Sequence, residues 1–137
     1  MVYAMFAMIL VTFVVGIHLF RLRLAAVRSG KVSLGSFRLN NAADIPSDML
    51  QAARNYSNLF EIPLLFYAAG ILTIALRLDS PTLVLLGWIF VGTRILHSWI
   101  HLTTNNVIQR MQMFMAGNAC VLLMWILIVL KYSALHF

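Results

Sequence analysis

The sequence predicts an all-α integral membrane protein folded as a four-transmembrane-helix bundle, and three observations carry that prediction. The first is composition: 137 residues, 62 % hydrophobic and 10 % charged, where soluble domains run near 45–50 % and about 25 %. The second is that the apolar residues collect into four runs, each near the length of about 20 residues that a helix needs to cross a bilayer. The third is an uneven spread of charge. Of ten Lys and Arg residues, Arg21, Arg23, Arg28, Lys31 and Arg38 fall between the first two apolar runs. Basic residues gathered at one flank of apolar helices mark a membrane side, whereas a nucleic-acid surface interleaves them with aromatics on an exposed face; no nucleic-acid partner is expected. Disorder is excluded by the hydrophobicity. Cys120 is the only cysteine, so neither an intrachain disulfide nor a multi-cysteine metal site can form, and no metal is expected.

The length suits one domain, residues 1–137. The first helix is expected over about residues 1–28, built on the uncharged run 1–20. A signal peptide would carry its basic residues before the apolar run, and here they follow it. A connection at roughly 21–46, rich in Gly, Ser and Asn, is the one long loop. The second helix is expected over about 47–78, with Ser47 as its cap and Asp48 favouring the positive end of its dipole. At 1.5 Å per residue such a helix is roughly 45 Å long, so its first turns would stand in water. A turn at Leu78-Asp79-Ser80-Pro81 precedes the third helix, about 81–102, with Ser80 as cap and Pro81 in the first turn, where its missing N–H costs nothing. The polar stretch Thr103–Asn106 separates it from the fourth, about 107–134. The basic loop assigns the cytoplasmic side, which leaves both termini non-cytoplasmic.

Most of the chain fits a lipid environment without further comment; the informative residues are those that are costly there. A central Arg or Asp costs about 2.5–3.5 kcal/mol on insertion scales. Arg54, Asn58 and Glu61 are spaced i, i+4, i+7 on the second helix, and Arg94, His97 and His101 are spaced i, i+3, i+7 on the third. Each set shares a helix face, and Arg110 follows the polar break. Both sets fall toward the cytoplasmic half, so they are expected to converge on one pocket. Three arginines around one acid are a cation surplus, which points to an anionic ligand. A structural ion pair between Glu61 and Arg94 or Arg54 is the plainer alternative, as are flank charges for Arg21 and Arg23.

At these residues the sequence resembles the MAPEG family, the membrane-associated proteins of eicosanoid and glutathione metabolism. Arg54-Asn-Tyr-Ser-Asn58-Leu-Phe-Glu61-Ile-Pro63 is similar to that family's R-x-x-x-N-x-x-E with a following proline. Arg94-Ile-Leu-His97-Ser-Trp-Ile-His101, with Arg110 beyond, is similar to the R-x-x-H-x-x-x-Y-x8-R pattern of the branch that includes microsomal prostaglandin E synthase. Within the family the chain resembles a short, bacterial-type member similar to microsomal glutathione transferase or that synthase. His101 stands where a tyrosine is usual, Phe114 replaces a frequent tyrosine, and Pro63 comes one residue early.

The resemblance implies a homotrimer with glutathione bound as co-substrate between neighbouring subunits. Asn58 and Glu61 would hold the tripeptide, Arg54 would support a carboxylate, and Arg94, His97 and His101 would belong to the site. Arg21 or Arg23 would reach the ligand from the adjacent subunit. Arg110 would be catalytic, facing the thiol. The activity expected is glutathione transfer or peroxide reduction on a small lipophilic substrate arriving from membrane lipid. A non-catalytic lipid-binding scaffold on the same fold is the alternative; a small proton-coupled transporter that uses Glu61 is a third and leaves the arginines unexplained.

Overall fold

A computed structural model describes residues 1–33, 35 and 45–136. Arg38 and Asp44 of the basic connection lie outside the described residues. Among the described residues the helices are, in order, α1 (Val2–Arg28), α2 (Ser47–Asn58), α3 (Ile62–Ala75), α4 (Pro81–Leu102) and α5 (Val107–His136). Among the described residues there is no strand. Four stretches are long and apolar enough to cross a membrane, with α2 and α3 together, Ser47–Ala75, forming the second. The chain is thus an all-helical membrane protein with four spans.

The helix ends show how the sequence sets the elements. α1 contains no breaker between Phe20 and Arg28, so Arg21, Arg23 and Arg28 stand on its last two turns rather than in the loop to which their charge pattern assigns them. It stops where Gly30 adopts φ 69°. There the amide of Lys31 donates to Ala26 and that of Gly30 to Val27, at 3.1 and 3.0 Å, the paired bonds of a Schellman cap. α3 ends the same way, but with Arg77 at φ 53° in the left-handed position. At α4 the cap expected from the sequence forms, with the Ser80 hydroxyl accepting from the Leu83 amide at 3.4 Å and proline in the first turn.

Two expectations for the second span fail. The helix is not continuous over 47–78: it breaks at Leu59-Phe60-Glu61 and restarts at Ile62. Proline explains the break, because Pro63 has no N–H to donate to Leu59 and its ring would crowd that carbonyl. Ser47 is not the cap either. Pro46 takes that position without a side-chain bond, and the Asp48 carboxylate accepts from the Met49 amide at 2.8 Å instead.

α4 packs most extensively on α5, while α1 lies against α2, α3 and α4, and α3 against α5. The apolar centre is Met8, Phe66, Leu83, Phe90 and Met124, all fully buried, with Phe66 and Phe90 at 4.6 Å between ring centroids. Phe6, Phe13, Phe20, Leu64, Trp99, Leu122 and Leu130 are exposed. Large side chains turned outward on several helices are what a lipid-facing surface requires and what water would not tolerate. Toward the α4–α5 turn the core changes character: Asn55, Arg94, His97, Ser98 and His101 are buried there.

Candidate functional site

The residues singled out by their spacing fall into two groups. The first surrounds a cavity of about 530 Å³ between α1 and α2, lined by Arg23, Arg54, Asn58 and Glu61 together with Met49, Leu50, Ala53, Tyr56 and Ser57. Arg54 and Asn58 are one turn apart on α2 and present their side chains to the same space. Glu61 reaches it from beyond the break, at the N-cap position of α3. The Pro63 break therefore sets where this carboxylate points. Arg54 and Glu61 are exposed and Asn58 half-buried, so the cavity is open to a solute. Arg23 contributes from the end of α1. Arg21 is exposed and does not line the cavity.

The second group is buried in the interface of α4 with α5 and α2. Arg94 is only 1 % exposed. Its guanidinium lies between two aromatic rings, 5.1 Å from the centroids of Phe90 and of Phe114. Its Nη2 donates to Asn118 Oδ1 at 3.2 Å, whereas Nε and Nη1 have no partner among the described residues. Gly117 makes this position possible, since a Cβ there would lie 2.8 Å from Nη2. His97 Nδ1 is 3.0 Å from the backbone carbonyl of Arg110. A carbonyl only accepts, so Nδ1 is the protonated nitrogen, and Nε2 is left buried without a partner among the described residues. The ring of His101 lies 5.8 Å from that of His97, its Nδ1 without a partner among the described residues. Arg110 donates through Nη1 to Asn105 Oδ1 in the α4–α5 turn, and its Nε has no partner among the described residues.

Within one chain the second group does not line the cavity of the first. Arg94, His97, His101 and Arg110 are absent from the lining of the first cavity. The reason is the rotation of α2. Gln51 donates to the backbone carbonyl of His101, and Asn55 Oδ1 accepts from Ser98 at 3.2 Å. Asn55, one residue and about 100° around the helix from Arg54, faces α4, and this turns the Arg54–Glu61 stripe toward α1. Glu61 makes no ion pair with a described residue, so the structural pairing with Arg54 or Arg94 does not form.

Gln51, Asn55, Ser98, Asn105 and Asn118 are the polar residues that spacing analysis missed. A signal was present: Gln51, Asn55 and Asn58 repeat the i, i+4, i+7 pattern beside the charged stripe. Ser98 is one turn beyond Arg94, and Asn118 lies eight residues beyond Arg110.

Four membrane-spanning helices with an arginine-rich polar end define a small multi-pass membrane protein. The chain belongs to the MAPEG family, whose model matches residues 1–130. No curated protein and no solved structure matches the chain.

Proposed function

We propose that the protein is a glutathione-dependent membrane transferase or peroxidase acting on lipophilic electrophiles. The observation that carries this reading is the open cavity that gathers Arg23, Arg54, Asn58 and Glu61. Its volume of about 530 Å³ lies within the roughly 300–1,000 Å³ of small-molecule sites. Two guanidinium groups, an amide and one carboxylate suit a tripeptide that carries carboxylates and an amino group. Arg54 and Arg23 would face the carboxylates, Asn58 the backbone amides, and Glu61 the ammonium. When bound, the tripeptide supplies a thiol, whose thiolate adds to an electrophilic carbon or, in a two-thiol reaction that ends in a disulfide, reduces a peroxide to an alcohol and water.

Arg110 is the residue proposed to hold the thiolate. Lowering a thiol pKa by two units takes about 2.7 kcal/mol, and a charge-assisted hydrogen bond contributes about 1.5–3 kcal/mol. A guanidinium stays charged at any working pH, and the unpartnered Nε of Arg110 is a donor without an acceptor. Arg94, His97 and His101 carry further buried nitrogens without partners, and such groups call for a ligand or water. That Arg110 stands apart from the cavity of its own chain supports a site completed between subunits of a homotrimer. The basic end of α1 supports an orientation in which both termini are non-cytoplasmic.

A lipid-binding scaffold is the second reading, favoured by Phe114 against Arg94, a position with no hydroxyl to offer a substrate. Titration of the purified protein with glutathione, monitored by calorimetry and thiolate absorbance, separates the two. Saturable binding with a thiolate band, weakened by Arg54→Ala and Glu61→Gln and stripped of its band by Arg110→Ala, supports the enzyme; absence of binding removes it.

A further inference from the structure

Two neighbouring asparagines form the turn between α4 and α5, and their roles differ. Asn106 caps α5: its Oδ1 accepts from the Gln109 amide at 3.1 Å and its carbonyl from the Arg110 amide at 3.0 Å. Asn105 reverses the chain. Its amide donates to the Ile100 carbonyl at 2.8 Å, closing α4, and its backbone lies at φ 50°. Asparagine tolerates that left-handed region better than most residues, but glycine meets it without strain. The turn alone therefore gives no reason for a side chain at this position. The reason lies five residues on, where Arg110 donates through Nη1 to Asn105 Oδ1. A guanidinium only donates, so the amide presents its oxygen.

That bond decides which edge of Arg110 is left over. Nη1 is the terminal nitrogen on the Cδ side of the planar guanidinium, so the Nε–H and one Nη2–H form the remaining fork, which can give two parallel hydrogen bonds. Nε is buried and without a partner among the described residues. The main chain of the same residue is held as well, by His97 Nδ1 donating to the Arg110 carbonyl at 3.0 Å. Arg110 is half-buried and Asn105 exposed, so without the tether this long side chain would recover rotamer freedom toward water.

We propose that Asn105 is a positioning residue for Arg110: its side-chain oxygen fixes the guanidinium so that the Nε–Nη2 edge is the one presented to an anionic acceptor. The contact lies within one turn of one chain and forms whatever the assembly. That the acceptor is a thiolate rests on the reading of the protein as a glutathione enzyme; the holding of the guanidinium does not.

The experiment has two arms, both on the full-length protein in lipid nanodiscs. In the first, NMR with isotope-labelled arginine follows the Nη signals of Arg110, assigned by their loss in Arg110→Lys. A tethered guanidinium rotates slowly about Nε–Cζ and shows Nη1 and Nη2 apart; a free one averages them. Separate signals are expected in the wild type and in Asn106→Ala, and averaged signals in Asn105→Gly, which keeps the turn, or in Asn105→Ala if the glycine variant does not fold. In the second arm, glutathione binding, thiolate absorbance and addition to a 2-alkenal are measured. In that addition the carbon–sulfur bond forms at the β-carbon, the π pair moves to the α-carbon, and solvent supplies the proton. Asn105→Gly should leave glutathione affinity within about twofold and weaken the thiolate band. Its kcat should fall about fivefold, short of the roughly 20-fold expected when the guanidinium is removed. In an Arg110→Ala background the same substitution should change kcat by less than about twofold. Asn106→Ala should lower the unfolding midpoint and leave kcat within about twofold of the wild type. Averaged wild-type signals, or signals that stay separate in Asn105→Gly, overturn the proposal. In a protein that binds glutathione, so does a kcat unchanged by Asn105→Gly, or one reduced equally with and without Arg110. The expected signals in a protein that binds no glutathione uphold the positioning and defeat the thiol reading instead.

Discussion

Removing Asn118 should expose how the buried cation at Arg94 is held. That guanidinium is 1 % exposed and has one side-chain acceptor, Asn118 Oδ1 at 3.2 Å, together with the faces of Phe90 and Phe114. A hydrogen bond to a charged group contributes about 1.5–3 kcal/mol, and the flanking ring faces about 0.5–2 kcal/mol each. Asn118→Leu leaves the rings but no acceptor, so its destabilisation should fall near 2–3 kcal/mol. Arg94→Met keeps the length of the side chain while removing the charge, and the Asn118 substitution should then cost far less. The double-mutant cycle over Arg94→Met and Asn118→Leu, measured by reversible unfolding in mixed micelles, should give a coupling of about 1.5–3 kcal/mol. Additivity within about 0.5 kcal/mol would refute the reasoning, because Asn118 would then not be the group that compensates the charge.

Arg77 adopts φ 53° at the end of α3, a conformation that costs a side-chain-bearing residue about 1 kcal/mol, so Arg77→Gly should stabilise the protein by roughly 0.5–1 kcal/mol in the same unfolding assay. If Arg110 holds the thiolate, Arg110→Ala should retain glutathione binding while turnover at neutral pH drops about 20-fold, the loss in ionised thiol for a two-unit rise in pKa; unchanged turnover would take Arg110 out of its role. Pro63→Ala should let α2 run into α3 and swing the Glu61 carboxylate around the helix. Glutathione affinity should then weaken about tenfold, a change of roughly 1.4 kcal/mol, while far-ultraviolet circular dichroism shows a small gain in helix. A reporter fused after Phe137 should behave as non-cytoplasmic, and cytoplasmic activity of that reporter would reverse the orientation.

Four spans were legible in the sequence because hydrophobicity acts locally: a run of apolar side chains long enough for the bilayer needs no partner to be recognised. The same holds for the Ser80-Pro81 start of α4 and for the two polar stripes, whose spacing depends only on helix geometry. The break before Ile62 was within reach, since Pro63 was visible, but its consequence for Glu61 was not. What spacing could not supply was the rotation of each helix about its own axis.

By itself, then, the chain's sequence determined a helical membrane protein, its segment boundaries to within a few residues, and which polar groups would have to be sheltered. Tertiary structure alone decided that Arg54, Asn58 and Glu61 join Arg23 around a cavity while Arg94, His97 and His101 are turned into the bundle. The physical reason is that periodicity places residues on a common face but not opposite any particular neighbour. That choice rests on pairings between distant segments, Asn55 with Ser98, Gln51 with the His101 carbonyl, and Arg94 with Asn118, which fix the helix faces only once the helices have packed.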